Sequence, residues 1–236
     1  PMFGTLGRLW PKADWAPRPL RAKTTLLSLG GSGEAGYARA LAILSPEQRE
    51  LLYDAAFLRE RGDYRAEQPL EKLMRDAPAR SGLDRAQYAD LKFWLPGDIL
   101  TKTDRTSMAV GLEAREPLLD HRLIEFGARL PHRERLRGTS GKWLMKRTME
   151  RYLPDEILYR QKQGFVTPLA EWFRGPLASE ARAIASSELL TGNGLFARKA
   201  LARLADEHIS GRSDHGRVLW QLLMLERSLR HLKPSA

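Results

Sequence analysis

The chain has 236 residues, of which 42% are hydrophobic and 29% charged. That is ordinary for a folded domain and long enough to bury a core, so global disorder, collagen-like repeats and fibrous low complexity are excluded. With no cysteine, thiolate catalysis, disulfides and cysteine-ligated zinc or iron–sulfur centres are excluded within the chain, while 39 Lys+Arg against 29 Asp+Glu, a net +10, favour anionic partners.

The positive charge is diffuse: acids are interspersed, as in Arg59-Glu60-Arg61 and Arg133-Glu134-Arg135, which is the pattern of solvated helix faces. No apolar run approaches the roughly 20 residues that span a bilayer. Pro1-Met2-Phe3 opens no secretion signal, so a cytoplasmic location is expected.

In chain order, residues 1–20 carry Pro1, Pro11, Pro17 and Pro19 and read as an arm or linker, with 21–236 as one helical region. Thr24 to Leu29 is the best short strand run. Gly31-Ser32-Gly33-Glu34-Ala35-Gly36 matches the G-x-G-x-x-G of dinucleotide loops literally. That loop also needs an acid at the tip of a second strand about 20 residues on, and Glu50, at the right distance, falls inside a predicted helix. The stretch therefore reads as a connection between helices. An NAD-dependent Rossmann protein, which would rest on this motif, predicts a parallel sheet for which no second strand is visible.

Ser45-Pro46-Glu47-Gln48 is a helix start, with a hydroxyl N-cap, proline at the first helical position and Gln48 placed to answer the cap. Leu51, Leu52, Ala55 and Leu58 follow at helical spacing and predict one buried face. Asp84 with Gln87 opens a helix carrying Tyr88, Leu91 and Leu95 until Pro96-Gly97 stops it, and Asp120 caps another that ends at Pro131. Helical pattern resumes over 141–152, 154–159 and 168–173. After Ser213-Asp214, Val218, Leu219, Leu222, Leu223, Leu225, Leu229 and Leu232 predict a long helix packed across the domain. Trp94, Trp143, Trp172 and Trp220 sit among aliphatics and read as core. The five histidines show no metal-ligand spacing, so no metal site is expected.

The stretch from Leu95 to Phe173 holds the chemistry-bearing residues. Arg105 and Arg115 are ten apart, close to three helical turns, so an uninterrupted helix would present them on one side. Lys162 falls in a Gly-containing connection after a helix. Two guanidiniums and an ammonium converging on a cleft suit phosphate or a developing pyrophosphate. The same residues also serve as ordinary surface ion-pair partners, with Asp104, Glu113 and Asp120 as their neutralisers.

Four blocks in this order, PGDILTKTDRTSMAVGLEAREPLLDHRL, GKWLMKR, LPDEILYRQKQGF with TPLAEWF after it, and LWQLLMLE, resemble the C-terminal half of the synthetase domain of glutamine-hydrolysing asparagine synthetases. The resemblance is to the bacterial asparagine synthetase-like amidotransferases in particular. It implies a mainly α structure: the helical C-terminal portion of an adenine nucleotide alpha-hydrolase-like (ATP-pyrophosphatase) synthetase domain that lacks the nucleotide-loop sheet. It implies an ATP-dependent amide ligase in which a carboxylate such as aspartate is activated as an acyl-adenylate and captured by ammonia from glutamine.

By position, the resemblance implies Arg115, Lys162 and Arg105 as the catalytic set, with Lys162, Arg105 and Lys142 toward the cofactor ATP. Arg105 stands where asparagine-forming members often have lysine. Asp104, Glu113 and Asp120 match acids of the motif and are expected to orient those basic groups and cap helices. Glu116 stands where an apolar residue is commoner, which bears on substrate identity.

Three parts of that family's machinery have no counterpart: the N-terminal cysteine of the glutaminase, the S-G-G-x-D-S pyrophosphate loop, whose nearest string is Ser28-Leu29-Gly30-Gly31-Ser32-Gly33, and the acidic G-x-x-D-E type block that helps with magnesium. The resemblance therefore implies that ATP with magnesium serves the complete enzyme, and that the glutaminase and nucleotide-loop part is the missing partner. The chain alone is expected to make negligible amide, with small-molecule substrates, no membrane partner and self-association through uncovered apolar surface. A different class, a basic helical module binding nucleic acid or an acidic partner, would need a recognition helix or a dense basic stripe with interleaved aromatics, and neither is present.

Overall fold

A computed structural model describes residues 5, 6, 9, 30–161, 164, 167–192 and 194–232. It is mainly helical, and among the described residues the only sheet is a two-stranded antiparallel hairpin, β1 (Leu136–Arg137) with β2 (Ser140–Gly141). The expected strand from Thr24 to Leu29 lies outside the described residues. The chain divides into two compact units, one formed by residues 1–76 with 167–236 and the other by residues 77–166.

The first unit begins with α1 (Gly33–Leu41), whose N-cap is Ser32, its hydroxyl accepting from the Ala35 amide at 3.2 Å. The G-x-G-x-x-G stretch is thus not a connection between helices; its Gly33 to Gly36 form the first turn of one, because Ser32 supplies the cap that an anion would otherwise fill. Helix α2 (Pro46–Glu50) has the predicted capping box: Ser45 accepts from the Gln48 amide, and Gln48 answers the Ser45 amide. The Arg39 guanidinium makes two bonds of 3.2 Å to Glu47 and holds its carboxyl down at about 2.

The run of apolar spacing through Leu58 is not one helix. It breaks at Leu51 to Asp54, because Tyr53 bridges to Phe196 and the Asp54 amide donates to the Leu195 carbonyl at 3.1 Å. Asp54 then caps α3 (Ala55–Arg61), and α4 (Gln68–Arg75) packs against α1. Leu52 is buried, whereas Leu51 is 64% exposed.

The remaining helices of this unit are α11 (Leu169–Arg174), α12 (Ala178–Ser186), α13 (Glu188–Thr191), α14 (Arg198–Ile209) and α15 (Gly216–Leu232). They supply nearly the whole core. Phe173, Leu190, Leu201 and Leu219 are fully buried, with Ile184, Leu204, Val218, Leu222 and Leu223 around them. The predicted stripe of α15 is therefore the buried face at Val218, Leu219, Leu222 and Leu223, but Leu232 is 78% exposed.

Gly216 opens α15 with its backbone flush on α11: a Cβ there would stand 3.0 Å from the Ala170 nitrogen and the Leu169 carbonyl carbon. Gly127, inside a helix of the second unit, has nothing within 4 Å of that position. Gly216→Ala is accordingly expected to lower stability by about 1–3 kcal/mol through overpacking against main chain. Gly127→Ala should raise it by roughly 0.5–1 kcal/mol through lost unfolded-state freedom. Urea midpoints of the two variants check the opposite signs.

The second unit is the looser one. Helix α5 (Gly82–Ala89) is capped by Ser81, not by Asp84: the Ser81 hydroxyl accepts from the Asp84 amide at 3.1 Å and donates to the Asp84 carboxylate at 2.7 Å. Nor does Pro96-Gly97 end the helical run. The chain continues through a wide-turned π segment (Asp90–Leu100) into α6 (Thr101–Met108). A π turn bonds residue i to i+5, and the run continues across Pro96 although its nitrogen has no hydrogen to donate; the Thr101 hydroxyl donates to the Pro96 carbonyl at 2.6 Å.

A short 3-10 turn (Pro117–Leu119) precedes α7 (His121–Arg129), which Asp120 caps as predicted, accepting from the Arg122 amide at 2.9 Å. Helices α8 (His132–Arg135), α9 (Trp143–Met149) and α10 (Asp155–Leu158) complete the unit. Arg135 ties α8 to α5 through Asp84 and Gln87, each at 2.5 Å. Among the described residues of this unit, only Ala77 and Ala89 are buried hydrophobics.

The tryptophans expected in a core are partly outside it. Trp94 is 44% exposed, Trp172 38% and Trp220 36%, and Trp143 lies under the Arg137 guanidinium, 3.5 Å from its ring centre. The amphipathic ring takes a half-wet position at no cost in hydrogen bonding.

Candidate functional site

The resemblance-derived residues Arg105, Asp104, Glu113, Arg115, Asp120 and Lys142 all belong to the second unit. Lys162 lies outside the described residues. Arg105 and Arg115 do not share one helix: α6 ends at Met108, Gly111 turns the chain at φ 72°, and residues 112–116 are irregular. The positive φ is free for glycine and costly for other residues, so the ten-residue spacing carries no helical phase.

Tertiary packing brings Asp104 and Arg105 into one cleft with the two chain neighbours of Arg115. A cleft of about 410 Å³ is lined by the end of the π segment at Pro96 and Leu100, by Asp104 and Arg105 on α6, and by Ala114 and Glu116 of the irregular stretch. Arg115 itself is not among the lining residues. Arg115 pairs with its neighbour Glu113 at 3.1 Å.

Both guanidiniums are available. Their side chains are 83% and 81% exposed, and Arg105 stands 3.9 Å from Asp104, too far for a hydrogen bond. Exposed pairs of this kind contribute roughly 0–1 kcal/mol, so exchanging the neighbouring carboxylate for a more highly charged phosphate is cheap. Asp120 is engaged differently. Its carboxylate takes two bonds from Arg122, at 3.0 and 2.8 Å, which hold its pKa below the ordinary 3.8 while it caps α7.

Lys142 stands on another element, at the junction of the hairpin and α9. It is the sole non-glycine residue with positive φ (57°) among the described residues, a conformation that costs an L-residue about 1–2 kcal/mol. The motif letters gave no sign of this strain, nor of the place of Glu116 and Thr103 in the cleft wall. Glu116, noted in the sequence only as an unusual letter, lines the same cleft as Arg105. Among the described residues no group of three or more His, Asp or Glu could hold a metal ion, and no helix is long and apolar enough to cross a membrane.

The family model described as asparagine synthase matches residues 4–230. A putative glutamine-hydrolysing asparagine synthetase of Mycobacterium tuberculosis (strain H37Rv) is 39% identical over 141 residues, 59% of this chain and 21% of that protein. Glutamine-hydrolysing asparagine synthetase 1 of Bacillus subtilis (strain 168) is 26% identical over 149 residues, 63% of this chain and 23% of its own length. The Gallus gallus asparagine synthetase is 39% identical over 83 residues, 32% of this chain and 15% of that protein. The aligned stretch is thus about a fifth of the bacterial relatives' length. No solved structure matches the chain. With the family model accounting for all but the ends of the sequence, this protein belongs to the asparagine synthase family.

Proposed function

We propose that the chain is the helical, phosphate-facing part of an ATP-dependent amide ligase that adenylates aspartate or a similar carboxylate and transfers ammonia to it. The observation that carries this reading is the cleft in which Arg105 lines the wall and the two flanks of Arg115 complete it, inside a chain of the asparagine synthase family. In the reaction, a carboxylate oxygen of the substrate attacks the α-phosphorus of ATP and pyrophosphate leaves. Ammonia then attacks the acyl carbon, AMP leaves, and the surplus proton passes to solvent. Charge builds on the departing pyrophosphate in the first step, where Arg105, Arg115 and Lys162 act as fixed cations, with Lys142 as a further contact.

Glu113 holds Arg115 until phosphate displaces it, Asp104 stands beside Arg105 as a counter-charge, and Asp120 fixes the helix that follows. Magnesium supplies charge neutralisation when it arrives with ATP, held mainly by a part of the enzyme that the described residues do not offer. The proposed partner is that remaining part, comprising a glutaminase and a pyrophosphate loop; the wide exposed apolar surface of the second unit, including Val110 at 79% and Leu112 at 63%, would otherwise favour self-association.

A direct test mixes the chain with ATP, magnesium, aspartate and ammonia and follows AMP and pyrophosphate. Alone it should release neither above background; together with a polypeptide carrying the rest of a relative's synthetase domain it should release both in equal amounts. Sustained turnover by the chain alone would overturn the incomplete-cleft reading, and hydrolysis to ADP instead of AMP would overturn the adenylation.

A further inference from the structure

The first unit contains a buried titratable group that phosphate chemistry does not use. His208, on α14, is fully buried, and its ring joins three helices. Nδ1 lies 2.9 Å from the His215 amide at the entry to α15, and Nε2 lies 3.1 Å from the Ala170 carbonyl on α11. The backbone amide can only donate, so Nδ1 is the unprotonated acceptor and Nε2 carries the hydrogen that goes to Ala170. Only the Nδ1 bond needs the neutral ring; the Nε2 hydrogen goes to Ala170 in either protonation state.

Three further contacts surround this clasp. The Phe173 ring meets the imidazole edge-on with centroids 6.4 Å apart, the Arg174 guanidinium donates to the His208 carbonyl at 3.1 Å, and Gly216 lies directly on the α11 backbone. One carboxylate is poised beside it. Asp214 accepts from the Gly216 amide at 3.0 Å, capping the start of α15, and the same oxygen is 3.6 Å from His208 Nδ1. Asp214 is 63% exposed and free to turn.

We propose that His208 and Asp214 form an acid-operated catch on this bundle. With the ring neutral, Asp214 caps α15 and His208 clasps α11 to α15. When Nδ1 takes up a proton it faces the His215 amide donor to donor, that bond is lost, and the nearest acceptor is Asp214. Turning Asp214 to the imidazolium uncaps Gly216, so one proton undoes both ends of the α15 entry and releases its seat on α11.

The charges facing the ring bear on the direction. Burial is the main influence and holds the His208 pKa below its ordinary 6.5; the Ala170 carbonyl and Asp214 act in the opposite sense, while Arg174 from α11 and His215 from α15 add to the lowering. His215 is itself engaged with Glu207 of α14 at 3.0 Å, and Glu207 also pairs with Arg203 at 3.3 Å. Because the closed state binds the proton less readily than the open one, the catch is fully held above pH 6.5 and weakens as pH falls below it.

Hydrogen exchange of the His215 and Gly216 amides in the full chain, corrected for intrinsic rates, reads the catch directly. Nitrogen-15 spectra of the imidazoles report the His208 tautomer in the same samples. From about pH 7.5 to about 5.5 the population of the open form should rise by up to about tenfold per pH unit below the ordinary histidine range. Asp214→Asn keeps a cap acceptor for Gly216 but removes the counter-charge, so its rise should be displaced about one unit to lower pH. Glu207→Gln should leave the response in place. A flat wild-type profile, an Asp214→Asn profile that superimposes on the wild type, or loss of the response in Glu207→Gln would each overturn the proposal.

Discussion

Phe173→Ala should lower the stability of the first unit by about 3–5 kcal/mol, the range for truncating a fully buried aromatic residue. Phe173 is 0% exposed on α11, and Leu201, Leu219 and Leu222 of the same core cluster are held on α14 and α15, each of which packs on α11 and on α12. A helix of six residues has little stability of its own, so α11 stays docked because Phe173 anchors it and Gly216 and His208 seal it. The matched control is Phe126→Ala in the second unit, where the ring is 55% exposed, and there the change should stay within roughly 0.5 kcal/mol. Amide exchange along α14 and α15 measures the first effect without requiring one cooperative transition for the whole chain. A loss of protection of more than about a hundredfold is expected for Phe173→Ala, and a loss under about tenfold would show that the cluster around Phe173 is not the core that stabilises this unit.

How far the letters lead differs between the two units. In the first, the capping box at Ser45 and the apolar face of the last helix were legible, because a cap and a 3.6-residue period are local properties. The break at Leu51 to Asp54 was not. It is dictated by Tyr53 meeting Phe196, a partner far along the chain, and no local period encodes such a pairing. His208 reads as an unremarkable histidine on a helix; its role comes from Ala170 and His215, brought to it by packing.

In the second unit the motif blocks identified the family while misleading on geometry. Pro96-Gly97 looks like a helix stop, and proline ends most helices, yet the π turn accommodates it and runs on into the arginine-bearing α6. The helical phase inferred for Arg105 and Arg115 fails at Gly111. Arg105 instead shares a cleft with Ala114 and Glu116, the two residues that flank Arg115 in the chain. The carboxylates Glu113 and Asp120 were legible as partners of basic groups, but Asp120 takes Arg122, two residues away, because that pair closes within one turn of the helix it caps.

The central claim is that the exposed guanidiniums of Arg105, which lines this cleft, and of Arg115, whose two chain neighbours line it, stabilise departing pyrophosphate. They are weakly held, Arg105 at 3.9 Å from Asp104 and Arg115 by its exposed neighbour Glu113, and nothing in their local packing gives them a structural role. Removing one fixed donor from a developing oxyanion typically costs about 10²–10³ in turnover, and a lysine in place of arginine keeps the charge while losing the two-pronged geometry. The decisive measurement is pyrophosphate release from ATP by the chain completed with the rest of a synthetase domain, comparing wild type, Arg105→Ala, Arg115→Ala and Arg105→Lys, with urea midpoints as the check on folding. The account predicts losses of about 10²–10³ for each alanine variant, a much smaller loss for Arg105→Lys and unchanged midpoints. Wild-type turnover in Arg105→Ala would contradict it, because the one arginine that lines the cleft would then have no part in the reaction.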